Sequence, residues 1–320
     1  MPLAEFLDEQ GFAVLDGGLA TELERRGADL SDPLWSAGLL LTDPEEIRSV
    51  HESYFTAGAD VATSASYQAS IGGLTARGLA RGEAARAIEL SVELAREARQ
   101  RFWESPARPP ERLWPLVAGS VGPYGAALAD GSEYRGEYGV SRQELADFHG
   151  PRLEALIAAR PDLLAVETIP SLDEALLVLE LLRQWPQVVA WVSFSCRDAS
   201  RISEGEEVTE AIAAVTAEPQ VVAVGFNCIP PALAEPLLGA AAGLTKQPLV
   251  VYPNSGERWD AEARSWAPGL AGADFGALAL RWYATGARLI GGCCRTTPET
   301  IRKIRAALDS RSFSAGAQRS

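Results

Sequence analysis

The amino-acid sequence predicts a single-domain α/β fold, a (β/α)8 barrel of the TIM type. Short apolar segments alternate eight times with helical segments along the chain. Continuous apolar segments of this kind are typical of parallel strands that are buried on both faces. The length of 320 residues suits such a barrel, which typically needs about 250 residues plus insertions. We place the barrel at residues 1–309 and predict a disordered tail at residues 310–320.

Each predicted strand ends in glycine or polar residues. The strands are residues 13–18, 61–67, 116–123, 163–168, 188–196, 221–228, 249–252 and 289–294. A helix is predicted after each of them, and several begin with proline or acidic residues, which suit the first turn of a helix. The helices begin near residues 44, 80, 141, 171, 207, 230, 275 and 297. The second is long and amphipathic, with many helix-forming residues, and a short leader before the first strand is expected to form a capping helix.

Charge and hydropathy exclude two classes of partner. The formal charge of -14 and the pI near 4.7 oppose binding to nucleic acid, which carries a negative backbone. No apolar run approaches the roughly 20 residues of a membrane span, and no signal peptide is evident. We therefore predict a cytoplasmic protein with no membrane or nucleic-acid partner. The two histidines, His51 and His149, lie in polar helical stretches, and we expect them at the solvated surface.

Three cysteines follow apolar runs near glycine residues. Cys228 ends one such run, and the adjacent pair Cys293 and Cys294 ends another. A catalytic zinc has three protein ligands and an open fourth position, but a single free cysteine is more often a small buried hydrophobe. Because C-x-x-C pairs are absent, the spacing alone leaves both interpretations open. The fourth cysteine, Cys196, is interpreted as structural.

Other polar residues also fall at predicted strand ends, namely Asp16, Thr63, Glu167 and Asn254. Each has a structural explanation by itself, such as a turn or a helix cap. In (β/α)8 barrels, however, the carboxyl ends of all strands meet at one rim, which carries the active site. Their shared position with the cysteines favours a functional interpretation.

Several motifs resemble those of the homocysteine S-methyltransferase family, relatives of betaine-homocysteine methyltransferase and of the homocysteine domain of methionine synthase. The resemblance covers about residues 11–308. Its motifs are LDGGLATEL at 15–23, TSASYQA at 63–69, GSVGPYG at 119–125, ET at 167–168, GFNC at 225–228, YPN at 252–254 and GGCC at 291–294.

The resemblance implies a zinc ion bound by Cys228, Cys293 and Cys294. The sulfur of homocysteine would take the open fourth position. Tyr67 matches a tyrosine that can approach the metal when substrate is absent, although a structural tyrosine at the barrel end is an equal alternative.

The resemblance also implies how homocysteine is held. Asp16 and Glu167 match the acids that bind its ammonium group, while Thr63 and the backbone of Gly17 match the contacts of its carboxylate. Asn254, in the motif after the seventh strand, is predicted to face the substrate as well.

The methyl donor is expected to be a sulfonium compound. Trp35 resembles a tryptophan that lines the donor pocket, and an aromatic face favours a cation. The betaine-using branch has a tyrosine where this chain has Thr168, and it has a C-terminal oligomerisation extension. Both differences favour S-methylmethionine, or S-adenosylmethionine as a less efficient donor.

Other functions stay open at this point. A betaine-using enzyme or one that acts on selenohomocysteine would belong to the same family. A metal-free hydrolase could use Asp16 and Glu167 as a general acid and base, and a non-catalytic zinc-binding protein could use the cysteines alone. The sequence predicts a monomer or a small homo-oligomer without deciding between them.

Overall fold

A parallel barrel of eight strands forms the centre of the computed structural model, which describes residues 2–29, 36–256, 258–260, 265–267 and 273–316. The barrel strands are β1 (Ala13–Val14), β2 (Val61–Thr63), β3 (Leu116–Val121), β4 (Leu163–Ile169), β5 (Ala190–Phe194), β6 (Val221–Asn227), β7 (Leu249–Tyr252) and β10 (Ala287–Ile290). Two further strands, β8 (Arg258–Asp260) and β9 (Ser265–Ala267), form a separate antiparallel pair. The predicted (β/α)8 fold is confirmed.

The barrel closes between its first two strands. All neighbours in the order β1-β10-β7-β6-β5-β4-β3-β2 pair in parallel. An isolated parallel bridge joins Leu15 to Val61, and the backbone N–H of Asp16 donates to the carbonyl of Val61 at 3.0 Å. Closure leaves no free edge in this sheet, so the ends of all eight strands meet at one rim.

Thirteen α-helices occur within the described residues. They are α1 (Ala4–Glu9), α2 (Leu19–Arg25), α3 (Ser36–Thr42), α4 (Pro44–Ala57), α5 (Ile71–Thr75), α6 (Arg81–Glu104), α7 (Tyr124–Leu128), α8 (Arg142–Ala158), α9 (Leu172–Leu182), α10 (Val208–Thr216), α11 (Pro231–Ala241), α12 (Phe275–Ala284) and α13 (Pro298–Gly316). The eight predicted helices correspond to α4, α6 and α8–α13. Helix α13 includes residues 310–316, where the sequence predicts a disordered tail. The domain boundary at residue 309 stays a prediction, and residues 317–320 lie outside the described part of the chain.

Two apolar layers stabilise the barrel. The larger one lies between the strands and the surrounding helices. The smaller one fills the barrel interior and includes Trp191, which is fully buried. Leu3 and Phe6 of α1 join this interior cluster, so α1 covers the amino-terminal end of the barrel as expected of a capping helix. Strands β6 and β7 pack closely at Gly225, where a Cβ atom would collide with the carbonyl oxygen of Val250.

Both histidines are fully buried, so the expectation that they lie at the surface was wrong. His51 belongs to the buried stripe of α4 that also contains Ile47, Val50 and Tyr54. This spacing of three and four residues is that of a core-facing helical stripe, and it outweighs the polar composition of the segment. His149 lies on the corresponding face of α8, where its Nε2 atom is 2.9 Å from Glu174 Oε1.

Three strands end four residues earlier than predicted, and the first of them is β1, which ends at Val14. Strand β2 ends at Thr63, and β10 ends at Ile290, so Cys293 and Cys294 lie in the loop beyond the last strand.

No helix of the described residues is long and apolar enough to cross a membrane.

Candidate active site

Three cysteine sulfurs converge at the carboxyl-terminal rim of the barrel. Cys228 directly follows β6, while Cys293 and Cys294 lie in the loop after β10. Their Sγ atoms all lie within 4.8 Å of one another, and those of Cys228 and Cys294 are 3.5 Å apart. Cys228 and Cys294 are 66 positions apart in the chain, yet with Cys293 they form one sulfur cluster.

The backbone at Cys228 adopts an unusual conformation that turns the chain at the rim. Its φ angle is 52°, and that of Thr168 is 59°; Thr168 lies near the end of β4, which β5 separates from β6. Left-handed conformations of non-glycine residues cost free energy and cluster at functional sites. The side chain of Asn227 supports this geometry, because its Oδ1 accepts from the Thr168 N–H at 2.7 Å and its Nδ2 donates to Thr168 Oγ1 at 2.7 Å.

Close packing places the Cys293 and Cys294 loop. A Cβ atom at Gly291 would lie 2.6 Å from the Cβ of Leu15, so only glycine lets the loop approach β1. Gly292 N–H donates to the Asp16 carbonyl at 3.1 Å, and Cys293 N–H donates to the Pro253 carbonyl at 2.8 Å. These contacts explain why glycines precede the cysteine pair.

Asn254 supports the sulfur cluster in this structure. Its Oδ1 accepts from the Cys294 N–H at 3.2 Å, and a hydrogen bond from its side chain helps to lower the pKa of Cys228. The motif at residues 252–254 predicts that Asn254 faces the substrate, and that role stays a prediction.

The electrostatics of the sulfur cluster suit a soft cation. Hydrogen bonds from the Cys293 and Cys294 thiols hold the pKa of Cys228 well below its ordinary value. The same pairing raises the pKa of Cys293 and Cys294, so the cluster holds one negative charge readily. A tetrahedral zinc with metal–sulfur bonds of about 2.3 Å spaces its sulfurs about 3.8 Å apart. The observed spacing therefore fits a metal ion bound by three thiolates.

Asp16 is buried at the end of β1 and is held by Thr63. The N–H of Thr63 donates to Asp16 Oδ2 at 2.9 Å, and the Thr63 hydroxyl donates to Oδ1 at 3.1 Å. Burial raises the pKa of Asp16 to about 8, and the charge of Glu167 contributes to the increase. A cation that binds beside a buried carboxylate of this kind stabilises its ionised form.

Glu167 on β4 is the second buried acid of the site. The Ser120 hydroxyl donates to its Oε1 at 2.5 Å, and the Tyr252 hydroxyl donates to its Oε2 at 2.9 Å. Burial nevertheless raises the pKa of Glu167 to about 7. Tyr252 also links this acid to the sulfur cluster, since its carbonyl accepts from the Cys228 N–H at 3.2 Å.

A loop after β3 covers the sulfur cluster, and the sequence predicts no role for this loop. Its 3₁₀ turn, Ser132–Tyr134, places the Tyr134 hydroxyl 3.0 Å from Cys228 Sγ. The preceding residue, Glu133, has a buried Oε2 atom without a hydrogen-bond partner among the described residues. An acid and a tyrosine beyond a barrel strand were the available signal, but the path of the loop depends on distant contacts.

The structure bears to different degrees on the roles predicted for four other residues, Gly17, Tyr67, Cys196 and Trp35. Gly17 lies against Tyr54, whose ring would be 2.9 Å from a Cβ atom at this position. The Tyr67 hydroxyl forms a hydrogen bond with Thr168, and its predicted approach to a metal stays a prediction. Cys196 lies apart from the sulfur cluster and packs against the apolar core, in agreement with a structural role. Trp35 lies outside the described residues.

Comparison with known proteins identifies the family. The family model described as homocysteine S-methyltransferase matches residues 13–308. The homocysteine S-methyltransferase YbgG of Bacillus subtilis is 48% identical over 305 residues, which cover 95% of this chain and 97% of that protein. A selenocysteine Se-methyltransferase of Brassica oleracea is 45% identical, over 97% of this chain and 92% of its own length.

A solved structure agrees with these matches. The homocysteine methyltransferase MmuM of Escherichia coli, in its metallated form, superposes with a TM-score of 0.86 and 47% sequence identity. The superposition covers 96% of this chain and 99% of that one. The chain therefore belongs to the homocysteine S-methyltransferase family, a family of methyltransferase enzymes.

Proposed function

We propose that this protein transfers a methyl group from a sulfonium donor to the thiol of homocysteine and so forms methionine. The donor is S-methylmethionine or, less efficiently, S-adenosylmethionine. The observation that carries the proposal is the convergence of three sulfurs and two buried acids at one rim of the barrel. A metal ligand set and a binding site for an ammonium group are the two features that homocysteine requires.

We assign Zn²⁺ to the sulfur cluster, with Cys228, Cys293 and Cys294 as its ligands. Soft thiolate ligands suit zinc, and three of them leave one position open for a substrate. When bound there, zinc would supply the charge that deprotonates a coordinated thiol, which is otherwise mostly protonated at neutral pH. The two histidines are buried in helices α4 and α8, and the proposed reaction needs neither as a general base.

Asp16 and Glu167 bind the ammonium group of homocysteine in this proposal. Both acids are buried, and burial raises the pKa of each, so a bound ammonium would stabilise their ionised forms. Ser120 and Tyr252 orient Glu167 through two hydrogen bonds. Thr63 and the Gly17 backbone are assigned to the substrate carboxylate.

The methyl transfer step balances without an added acid or base. The homocysteine thiol releases its proton to water on binding, and the thiolate sulfur attacks the methyl carbon of the sulfonium to form a new S–C bond. The donor S–CH3 bond breaks at the same time, and its electron pair stays on the donor sulfur. A negative and a positive charge disappear together, so a water-poor site favours the reaction.

The surroundings of Thr168 support a sulfonium donor over betaine. In the betaine-using branch of the family, this position carries an aromatic residue. Here the Thr168 side chain is hydrogen bonded to Asn227 and offers no aromatic face to a quaternary ammonium group. We assign the protein to the cytoplasm, because its four cysteines are free thiols and thiols stay reduced in that compartment. We expect a monomer or a small homo-oligomer.

One assay tests the proposal. Purified protein is loaded with zinc and incubated with homocysteine and, in parallel, S-methylmethionine, S-adenosylmethionine or betaine. Methionine formation should be fastest with S-methylmethionine and should stop when the metal is chelated. Parallel reactions with selenohomocysteine test whether the selenium analogue is preferred. Zinc-independent turnover of a sugar would instead support a hydrolase, and zinc binding without methyl transfer would support a non-catalytic protein.

A further inference from the structure

Glu133 occupies a well-defined position in the loop that covers the sulfur cluster. It precedes Tyr134, whose hydroxyl lies 3.0 Å from Cys228 Sγ. Its own carbonyl accepts from the Ser195 hydroxyl at 3.1 Å, and a Cβ atom at Gly125 would lie 2.5 Å from its backbone nitrogen. The backbone of Glu133 is thus held on both sides.

One oxygen of the Glu133 carboxylate is left without a partner in the part of the chain that the structure describes. Its Oε2 atom is buried and has no hydrogen-bond partner among the described residues. An unpaired buried charge is costly, and a cation bound beside it removes much of that cost. The adjacent residue Tyr134 contacts Cys228 Sγ at 3.0 Å, which places Glu133 beside the sulfur cluster.

Neither the metal nor the ammonium of homocysteine fits as that partner. Within the described residues, the group of ligand atoms that lie within 4.8 Å of one another contains the three cysteines and no carboxylate. The ammonium already has two acids, Asp16 and Glu167, at the strand ends. The other cation in the proposed reaction is the sulfonium of the methyl donor, which must approach the same sulfurs.

We infer that Glu133 binds the sulfonium of the methyl donor and selects this cation over neutral thioethers. The inference rests on the proposed function and names a specificity residue within it. As the methyl group leaves, the donor sulfur becomes a neutral thioether and loses its attraction to Glu133. The contact is therefore stronger in the ground state than after transfer, so it acts on the affinity for the donor more than on the rate of the chemical step.

The test compares Glu133→Gln with a matched control, Glu137→Gln, which makes the same change at an exposed acid of the same loop. Calorimetry measures the binding of S-methylmethionine and of methionine to zinc-loaded protein. Saturating homoserine fills the homocysteine site with a hydroxyl in place of the thiol. Wild type and Glu137→Gln should prefer the sulfonium by about tenfold or more, the size of a charge-assisted contact. Glu133→Gln should bind both ligands alike.

Kinetics provide a second measurement. In Glu133→Gln, KM for S-methylmethionine should rise about tenfold, while kcat, zinc content and KM for homocysteine stay near wild type. Glu133→Asp keeps the charge and should recover part of the preference for the sulfonium.

Three outcomes are decisive. An active wild type with an unchanged preference in Glu133→Gln overturns this inference and leaves the proposed function intact. If Glu133→Gln loses zinc, or if only its KM for homocysteine rises, Glu133 acts on a different ligand. Either result also overturns this inference. A wild type that forms no methionine from either sulfonium overturns the proposed function itself.

Discussion

Individual cysteines differ in what their removal should do. Cys293→Ala removes one of three sulfurs that lie within 4.8 Å of one another, so we expect the loss of nearly all bound zinc and of methyl transfer. Metal analysis and the methionine assay measure both effects. Cys196→Ala is the matched control, because this thiol packs against the core away from the sulfur cluster. A Cys293→Ala protein that retains about one zinc per chain would contradict the ligand assignment.

Glu167→Gln keeps the shape of the side chain and removes its charge. Because this acid is assigned to the ammonium of homocysteine, KM for homocysteine should rise roughly ten- to hundredfold, while bound zinc stays constant. Initial-rate kinetics with metal analysis check the result. Glu210→Gln, at an exposed acid of α10, controls for the change in net charge. An unaltered KM for homocysteine would show that Glu167 binds something else.

His51 makes stability depend on pH. Its two ring nitrogens are buried without hydrogen-bond partners among the described residues, and burial lowers its pKa from 6.5 to about 4. Between these values the unfolded chain binds more protons than the folded one, so the free energy of unfolding falls as the pH falls from 6.5 towards 4.

His51→Leu should abolish this dependence. Between pH 7.5 and pH 5, the free energy of unfolding of the variant should fall by about 2 kcal/mol less than that of its parent. At pH 7.5 the variant should be as stable as its parent or more stable. Urea unfolding of both proteins in a Cys293→Ala background checks this without the effect of metal loss in acid. Equal decreases in the free energy of unfolding of parent and variant would exclude His51 as the source of the pH dependence.

The loop between β3 and α8 is held by an element that follows it in the chain. Glu174 of α9 accepts from the Tyr124 N–H at 2.6 Å and from the Tyr138 hydroxyl at 2.9 Å. These two contacts bracket the turn that carries Glu133 and Tyr134. Order in the loop therefore depends on a helix that forms after β4.

Tyr138→Phe should loosen this loop. The loss of one hydrogen bond to a buried carboxylate should lower the free energy of unfolding by about 1–3 kcal/mol and raise KM for the sulfonium donor several-fold. Hydrogen exchange of residues 129–139 and donor kinetics measure the two effects. Tyr124→Phe is the control, since the Tyr124 hydroxyl makes no hydrogen bond within the described part of the chain. Equal exchange rates in both variants would argue against the anchoring role.

Sequence patterns predict the strand ends better than the loops. Asp16, Glu167 and Cys228 are found because each follows an apolar run, and parallel strands of a barrel end at one rim. Glu133 and Tyr134 lie in a polar loop whose course is set by Glu174, up to 50 residues further along the chain. No local pattern encodes such a contact, so their place beside the sulfur cluster emerges only from the tertiary structure.

The whole barrel is joined at its amino-terminal end by a buried ion-pair network. Asp60 is fully buried and accepts from the Val14 N–H at 2.9 Å. Its carboxylate forms ion pairs with Arg112 at 3.2 Å and with Arg305 of α13. One acid thus connects the closing strands to the last helix. The alternation of strands and helices predicts the barrel, but not this junction, because its members lie far apart in the sequence.

Asp60→Asn should destabilise the entire fold. Arg112 and Arg305, which are largely shielded from solvent, would lose their acid, and breaking a buried ion pair typically costs about 3–5 kcal/mol. Denaturant unfolding measures the loss, and kcat of the folded fraction should stay near wild type because Asp60 lies at the end of the barrel opposite the rim. A large fall in kcat at unchanged stability would contradict this separation.

The distance in the chain between Cys228 and Cys294, 66 residues, bears on how the protein matures in the cell. A nascent chain in which only Cys228 has emerged from the ribosome cannot yet form the proposed three-cysteine zinc site. The proposed uptake of zinc must therefore wait until the final strand has docked against its neighbours. Limiting zinc during rapid translation should therefore accumulate a complete but inactive apoprotein, which later supplementation would activate without new synthesis.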